Sequence, residues 1–161
     1  MYAIQSSTDI GKINDCKISE SNSKNAVSTL AVCTSLGFIK IFNIQTTSEL
    51  FSLKVARPNG GSSSNVNLNK LHYTLSYIIT VDQSGYVYFI DLQQVNNNSN
   101  GFQAENSDNN SKGFKTKTNS FLSHTIKLCS NSLQTLCIYK DMIVCVGDSE
   151  GTLYFLSLVD I

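Results

Sequence analysis

One hairpin pattern occurs three times along this 161-residue chain. Each copy consists of an apolar run, a short polar turn that ends in glycine, and a second apolar run in which large residues alternate. The copies span residues 30–44, 78–92 and 143–158. A hairpin of this kind cannot bury its own apolar faces, so it must stack on further copies of itself. The repeat therefore predicts an array of stacked antiparallel sheets.

Weaker strand patterns flank the hairpins. Three segments precede a hairpin and are predicted to be inner strands, at residues 13–19, 68–74 and 132–139. Two segments follow a hairpin and are predicted to be outer strands, at residues 50–55 and 121–128. The chain thus contains two complete four-stranded patterns and a third pattern without its outer strand.

These strands predict an all-β fold, a β-propeller segment of about three four-stranded antiparallel blades that form an incomplete ring. The blades are expected at about 13–55, 68–128 and 132–161, within a single domain. Residues 1–5 are a candidate for the missing outer strand of the third blade, supplied from the opposite end of the chain.

Polar low-complexity sequence lengthens the repeat. Residues 93–120, inside the second blade, are rich in Asn, Ser, Gly and Lys, and a shorter stretch of similar composition lies at 57–65. Such segments carry too little apolar surface to offset the entropy of ordering them, so we expect mobile surface loops. They are predicted to be insertions within the repeat.

Charge and apolar content argue against two classes of protein. Twelve basic and twelve acidic side chains cancel, which removes the positive surface expected of a protein that binds nucleic acid or an anionic membrane. No stretch reaches the roughly 18 uninterrupted apolar residues of a membrane-spanning helix. The first residues lack the basic start and apolar core of a secretory signal, so we expect a cytoplasmic or nuclear protein.

The five cysteines fit a reducing compartment. Their number is odd and no Cys-x-x-Cys pair occurs, so no disulfide framework is predicted. Cys33, Cys137 and Cys145 lie inside apolar runs, where a free thiol is expected to behave as a small buried hydrophobic group.

The second strands of the three hairpins resemble those of WD40 repeats, whose consensus is an Asp-Gly turn, alternating apolar residues and then Trp-Asp. The repeat-defining positions are the turn glycine, the Trp position and the Asp position, held here by Gly37, Phe42, Asn43, Gly85, Ile90, Asp91, Gly151, Leu156 and Ser157. Only Asp91 keeps the consensus acid, and the chain contains no tryptophan. The resemblance implies the propeller fold and a platform for protein binding.

Aromatic side chains on these strands have two interpretations. Four of them are candidate partner contacts, namely Phe38, Tyr86, Tyr88 and Tyr154. Alternatively they pack between blades, since both faces of a propeller sheet are covered by its neighbours. Asp82 and Asp148 each lie three residues before a turn glycine, where we expect them to accept backbone hydrogen bonds while the glycines supply positive φ.

No residue cluster predicts catalysis or a bound cofactor. Neither histidine lies in a recognised local pattern with an acid and a nucleophile. His124 and Cys129 are the one closely spaced pair of potential metal ligands, which is too few for a site. The glycines at 60–61 are followed by serines instead of the Lys and helix of a phosphate-binding loop. We therefore expect no enzyme, no cofactor, no metal and no small-molecule substrate.

The predicted function is that of a protein–protein interaction scaffold, as a subunit or fragment of a WD-repeat protein in a larger complex. Three blades leave an apolar face at each end of the arc, and each large apolar side chain left in water there forgoes about 1.5–3 kcal/mol. A protein partner or missing blades are therefore expected to complete the ring. The alternative is an RNA-associated factor that contacts RNA through the lysine-rich segment 112–117.

Overall fold

The computed structural model describes residues 9–19, 28–58, 66–93 and 122–158. Their strands are β1 (Ile13–Ser19), β2 (Thr29–Thr34), β3 (Phe38–Asn43), β4 (Glu49–Lys54), β5 (Leu68–Tyr73), β6 (Tyr77–Asp82), β7 (Tyr86–Asp91), β8 (Leu122–Lys127), β9 (Leu133–Tyr139), β10 (Ile143–Asp148) and β11 (Leu153–Ser157). The described part of the chain has no helix that is long and apolar enough to cross a membrane. The strand predicted at 1–5 and, apart from Gln93, the insertion predicted at 93–120 lie outside the described residues.

The strands form three antiparallel sheets in chain order. The first sheet contains β1–β4 and the second contains β5–β8, each arranged in the order of the sequence. The third sheet contains β9, β10 and β11 within the described residues, with β10 in the middle. The fold is therefore all-β and has the form of an incomplete propeller segment, as the hairpin repeat predicts.

The sheets stack face to face, so each has a front face toward the next sheet in the chain and a back face toward the previous one. The front of the first sheet packs on the back of the second through a buried cluster that includes Ala31, Cys33, Ile39, Ile41, Leu71, Ile78, Tyr88 and Ile90. The front of the second sheet packs on the back of the third through Ile79, Val81, Val87, Phe89, Leu133, Val144 and Val146. Because both faces of the second sheet are covered, β6 and β7 are apolar on both sides.

The inner strands β1, β5 and β9 lie side by side and are joined by one repeated hydrogen bond. Asn14, the second residue of β1, donates from Nδ2 to the main-chain oxygen of Leu68, the first residue of β5, at 2.7 Å. Asn69, the second residue of β5, donates to the main-chain oxygen of Leu133, the first residue of β9, at 2.8 Å. We call this contact the amide clasp, and it holds successive inner strands in one register.

The turn glycines adopt the predicted positive φ, which is 81° at Gly37, 84° at Gly85 and 87° at Gly151. This conformation lets each hairpin reverse direction in a short turn, so the two strands can pair directly. Counted from the turn glycine, the two strands of each hairpin therefore pair in the same register in all three copies.

The cysteines of the apolar runs differ in burial. Cys33 is fully buried, and desolvation raises the pKa of its thiol to about 12. Cys145 is half-buried, whereas Cys137 is exposed. The prediction of a buried thiol is correct for Cys33 and wrong for Cys137, because Cys137 lies on the front face of the third sheet, which none of the other described strands covers.

Candidate interaction surface

A buried carboxylate organises the turn of the second hairpin. Oδ1 of Asp82 accepts hydrogen bonds from the backbone N–H groups of Ser84 at 2.8 Å and Tyr86 at 2.9 Å, as predicted. Its Oδ2 accepts one from the Tyr88 hydroxyl at 3.0 Å and lies 3.3 Å from Nη2 of Arg57. Asp82 is fully buried, so these four partners replace the water that the carboxylate loses.

Asp148 has the equivalent arrangement in the third hairpin. Its Oδ1 accepts from the backbone N–H groups of Glu150 at 3.0 Å and Thr152 at 2.8 Å, again as predicted. Its Oδ2 accepts from the Tyr154 hydroxyl and from Asn131 Nδ2, both at 3.2 Å. These donors, first the backbone of Thr152, hold the pKa of the Asp148 carboxyl below its ordinary value of 3.8.

The four aromatic residues predicted as partner contacts are mostly packing residues. Tyr88 is fully buried between the first and second sheets, as the packing interpretation expects, and in this conformation its side chain is not accessible to a partner. Tyr86 packs at the rim of the same cluster under Lys127, whose Nζ lies 4.3 Å from the ring centroid. Tyr154 packs between the second and third sheets. Phe38 is half-buried beneath Lys54 on the back of the first sheet.

The residues at the Trp and Asp positions of the repeat have separate structural roles. Ile90 and Leu156 pack on the back faces of their sheets, and Phe42 is buried. At the Asp position, Asn43 Oδ1 accepts from the backbone of Gln45 at 2.8 Å, and Asp91 Oδ1 accepts from the backbone of Gln93 at 2.8 Å. Ser157 ends β11 and is exposed.

The front face of the third sheet is an exposed apolar surface. Leu153 has 59% of its surface exposed and Phe155 has 69%, although both belong to a strand that is paired with β10. Tyr139 and Ile143, which pair with each other across β9 and β10, are exposed by 61% and 41%. We call this surface, formed by Tyr139, Ile143, Leu153 and Phe155 with the thiols of Cys137 and Cys145, the open face.

The open face is the same surface that the other two sheets use for stacking. Counted from the turn glycine, Leu153 and Phe155 occupy the positions of Ile39 and Ile41 in the first sheet and of Val87 and Phe89 in the second. Those four side chains are at most 6% exposed, because the next sheet covers them. The repeat register, combined with the predicted apolar face at each end of the arc, could have indicated Leu153 and Phe155 from sequence.

Comparison with solved structures supports the propeller arrangement. The chain is similar to one in the crystal structure of a mitotic checkpoint complex, with a TM-score of 0.55 and 10% sequence identity. The match covers 90% of this chain and 33% of that one, so this chain spans about a third of the matched chain. The fold is propeller-like. At this low identity the likeness shows the fold alone, and it fits the WD40-like form that the hairpins resemble.

A second likeness is to the crystal structure of the computationally designed Ika8 protein, with a TM-score of 0.49 and 15% identity. It covers 85% of this chain and 32% of that chain, and with a TM-score below 0.5 it does not inform the fold assignment. No family model matches the sequence, and no curated protein matches it.

Two thiols of this propeller segment lie next to each other on the open face. Cys145 in β10 is directly opposite Cys137 in β9, and both are free. Desolvation, and to a smaller extent the proximity of Cys137, raises the pKa of the Cys145 thiol above its ordinary value. The Cys145 sulfur is therefore held as a thiol at neutral pH, and it adds soft apolar area beside Phe155.

A groove also runs along the end of the second and third sheets, lined by polar and apolar side chains that include His124, Asp91 and Leu158. Tyr77 donates from its hydroxyl to Asp141 Oδ1 at 2.9 Å across this groove, and burial with this contact raises its pKa to about 12. Within the described residues, no three His, Cys, Asp or Glu side chains converge to hold a metal ion. The open face, with its four large apolar side chains, is therefore the stronger candidate surface.

Proposed function

We propose that this chain is a non-catalytic protein-interaction scaffold, a WD40-like propeller segment whose open face binds a protein partner. The observation that carries the proposal is the exposure of Leu153 and Phe155 at positions that are buried in both other sheets. Covering each large side chain of the open face would stabilise a complex by about 1.5–3 kcal/mol. The free energy of these side chains is therefore lower against a protein partner than in water.

The buried carboxylates also support a structural role. Asp82 and Asp148 are the described acids with the most hydrogen bonds, and each is committed to its hairpin turn and to the tyrosine of the neighbouring strand. Their geometry rigidifies the scaffold and does not present a carboxylate to a substrate. The solved chain of similar fold belongs to a mitotic checkpoint complex, and this fits a chain with protein partners. We place the protein in the cytoplasm or nucleus, where its free thiols stay reduced.

A matched pair of variants tests this proposal. The double variant Leu153→Ser with Phe155→Ser removes the open face, and Leu75→Ser removes an equally exposed leucine from the turn between β5 and β6, where it is 53% exposed. Each tagged protein is used to purify associated proteins from an extract of the source cells, and the associated proteins are quantified by mass spectrometry. Because the substituted side chains are solvent-exposed, we expect similar urea unfolding midpoints for all three proteins.

The scaffold proposal expects one or a few proteins in stoichiometric amounts with the wild type and with Leu75→Ser. Their recovery should fall at least about tenfold with the double variant, since a central apolar anchor contributes about 2 kcal/mol or more to binding. Recovery of the same proteins with the double variant would exclude the open face as the binding surface. Absence of any stoichiometric protein from all purifications would overturn the scaffold function itself.

A further inference from the structure

The two interfaces inside this chain follow one rule. In each, the front of a sheet packs on the back of the next sheet, and an amide side chain at the second position of the inner strand donates to the first carbonyl of the next inner strand. The donors are Asn14 and Asn69. Apolar packing between the sheets and the amide clasp therefore occur together at both interfaces.

The third sheet has both an apolar front face and an amide side chain at the second position of its inner strand. None of the other described strands packs against that face. Gln134 is the second residue of β9, the position that Asn14 holds in β1 and Asn69 in β5. Its side chain is exposed, and Nε2 donates to the Ser132 hydroxyl at 2.7 Å. That bond is local and exposed, so the second N–H of this amide is available for a longer-range acceptor.

Building on the proposed function, we propose that the open face receives a β-sheet of a different polypeptide, which packs as the next blade. Its apolar back covers Leu153 and Phe155, and its inner strand presents a first main-chain carbonyl to Gln134. Recognition thus combines apolar cover of the open face with a third amide clasp in the register of the two internal ones. The partner is therefore a sheet with alternating apolar residues, and the first main-chain carbonyl of its inner strand is free to accept a hydrogen bond.

A second copy of this chain would supply a poorly matched sheet. On the back of its first sheet, Lys40 stands at the position of Tyr88 and Tyr154, and its Nζ lies 2.6 Å from Glu49 Oε2 in a partly exposed ion pair. Thr34 replaces the aspartate that those tyrosines bind. Burying this ion pair beneath an apolar face costs its hydration without a new partner, so the occupant is a different sheet.

Two open faces packed against each other would not reproduce the amide clasp. Each front face of this chain meets a back face, and the carbonyl of the clasp comes from the first residue of the inner strand on the receiving sheet. A pair of front faces lacks the main-chain carbonyl that a receiving inner strand supplies in the two internal clasps. This geometry therefore favours the back face of a different sheet over a second open face.

The test uses the tagged full chain with Phe155 replaced by p-benzoylphenylalanine, mixed with an extract of the source cells and irradiated. Glu150, exposed in the turn between β10 and β11, carries the same photoprobe in the control protein. We expect one crosslinked polypeptide from position 155 and none in comparable yield from position 150. Peptide-level mass spectrometry should place the crosslink in a strand with alternating apolar residues.

Variants of Gln134 test the clasp. Gln134→Leu leaves the partner carbonyl without its donor, and we expect the crosslink yield at limiting concentration to fall about five- to tenfold. Gln134→Asn, which supplies the amide found at the two internal clasps, should retain most of the yield. An equal loss in both variants, or none in Gln134→Leu, would refute the clasp.

The remaining outcomes separate the two proposals. A crosslink to residues 13–54 of a second copy would replace the foreign sheet with a self-complementing dimer. A crosslink to a helix or to an extended peptide without a sheet would overturn the blade proposal while leaving the scaffold function intact. If proteins co-purify through the open face and no crosslink forms from position 155, the geometry proposed here is wrong. If no protein associates at all, the scaffold function fails first.

Discussion

The Tyr88 hydroxyl lies 3.0 Å from Oδ2 of Asp82 in the interior between the first and second sheets. The same relationship recurs between Tyr154 and Asp148, at 3.2 Å, in the third hairpin. In both pairs the acid stabilises its turn through two backbone N–H groups and ties that turn to the second strand through the tyrosine. A side-chain hydrogen bond thus links turn geometry to stacking of the sheets.

Tyr88→Phe is expected to destabilise the protein by about 1–3 kcal/mol, because it leaves a buried carboxylate without one of its donors. Tyr154→Phe should cost less, since Tyr154 is half-buried and water can replace the hydroxyl. Urea unfolding at neutral pH measures both. Equal losses in the two variants would show that burial does not determine the strength of this contact.

The Asp148 carboxyl is expected to make stability depend on pH. Its pKa is lowered in the folded protein, so its contribution is fully present above the ordinary value of 3.8 and is lost as the pH falls through the folded pKa. Asp148→Asn should therefore reduce stability at neutral pH and flatten its decline in acid. Urea midpoints from pH 7 down to about 2.5 test this, and parallel curves for the variant and the wild type would contradict it.

Two turn glycines provide a matched comparison of steric effects. A Cβ at Gly85 would lie 2.1 Å from the main-chain oxygen of Cys129, whereas a Cβ at Gly151 would have no atom within 4 Å. Gly151→Ala should cost only the strain of positive φ, about 1–2 kcal/mol. Gly85→Ala must also displace the Cys129 backbone, and we expect a loss above about 4 kcal/mol or insoluble protein. Similar unfolding midpoints for the two variants would refute the close approach.

The outer edge of β11 can be tested by hydrogen exchange. Asp148 N donates to Thr152 O at 3.0 Å, and Leu158 N donates to Met142 O at 2.7 Å, so the amides of Leu153 and Phe155 point away from β10. If residues 1–5 supply the outer strand, as the sequence predicts, these two amides exchange slowly. Deleting residues 1–5 should then accelerate their exchange at least about tenfold.

The control for this deletion is the amide of Leu156, which points toward β10 and should stay protected in both proteins. Fast exchange of Leu153 and Phe155 in the intact chain would refute the assignment of residues 1–5. Slow exchange that survives the deletion would assign the protection to another segment.

The scaffold proposal and the RNA-associated alternative make opposite predictions about RNA binding. With basic and acidic residues in balance, the scaffold proposal expects no saturable binding of single-stranded RNA below about 100 μM at physiological salt. Replacing Lys112, Lys115 and Lys117 with serine should change nothing. Fluorescence anisotropy checks this, and tight binding that weakens steeply with salt and disappears in the triple variant would favour the RNA-associated role.

The local part of the fold was predictable from sequence. Hairpin turns and strand pairing depend on residues close together in the chain, namely a turn glycine, an aspartate three residues before it and alternating apolar residues on either side. β1 at Ile13–Ser19 coincides with the predicted inner strand, and the carboxylates of Asp82 and Asp148 bind their turns as expected. The repeat also predicted stacking, since each hairpin is apolar on two faces.

Stacking itself decided which of those side chains are buried and which remain exposed. Tyr88 and Phe155 are both aromatic residues on the second strand of a hairpin, yet Tyr88 is fully buried and Phe155 is 69% exposed. Their sequence patterns are alike because both belong to an apolar strand. Their exposure differs because it depends on whether another sheet lies against that face, and this is set by contacts between residues far apart in the chain. The sequence alone therefore determined the repeated unit and the apolar character of its faces, and the tertiary structure determined which side chains of the third sheet are exposed on the open face.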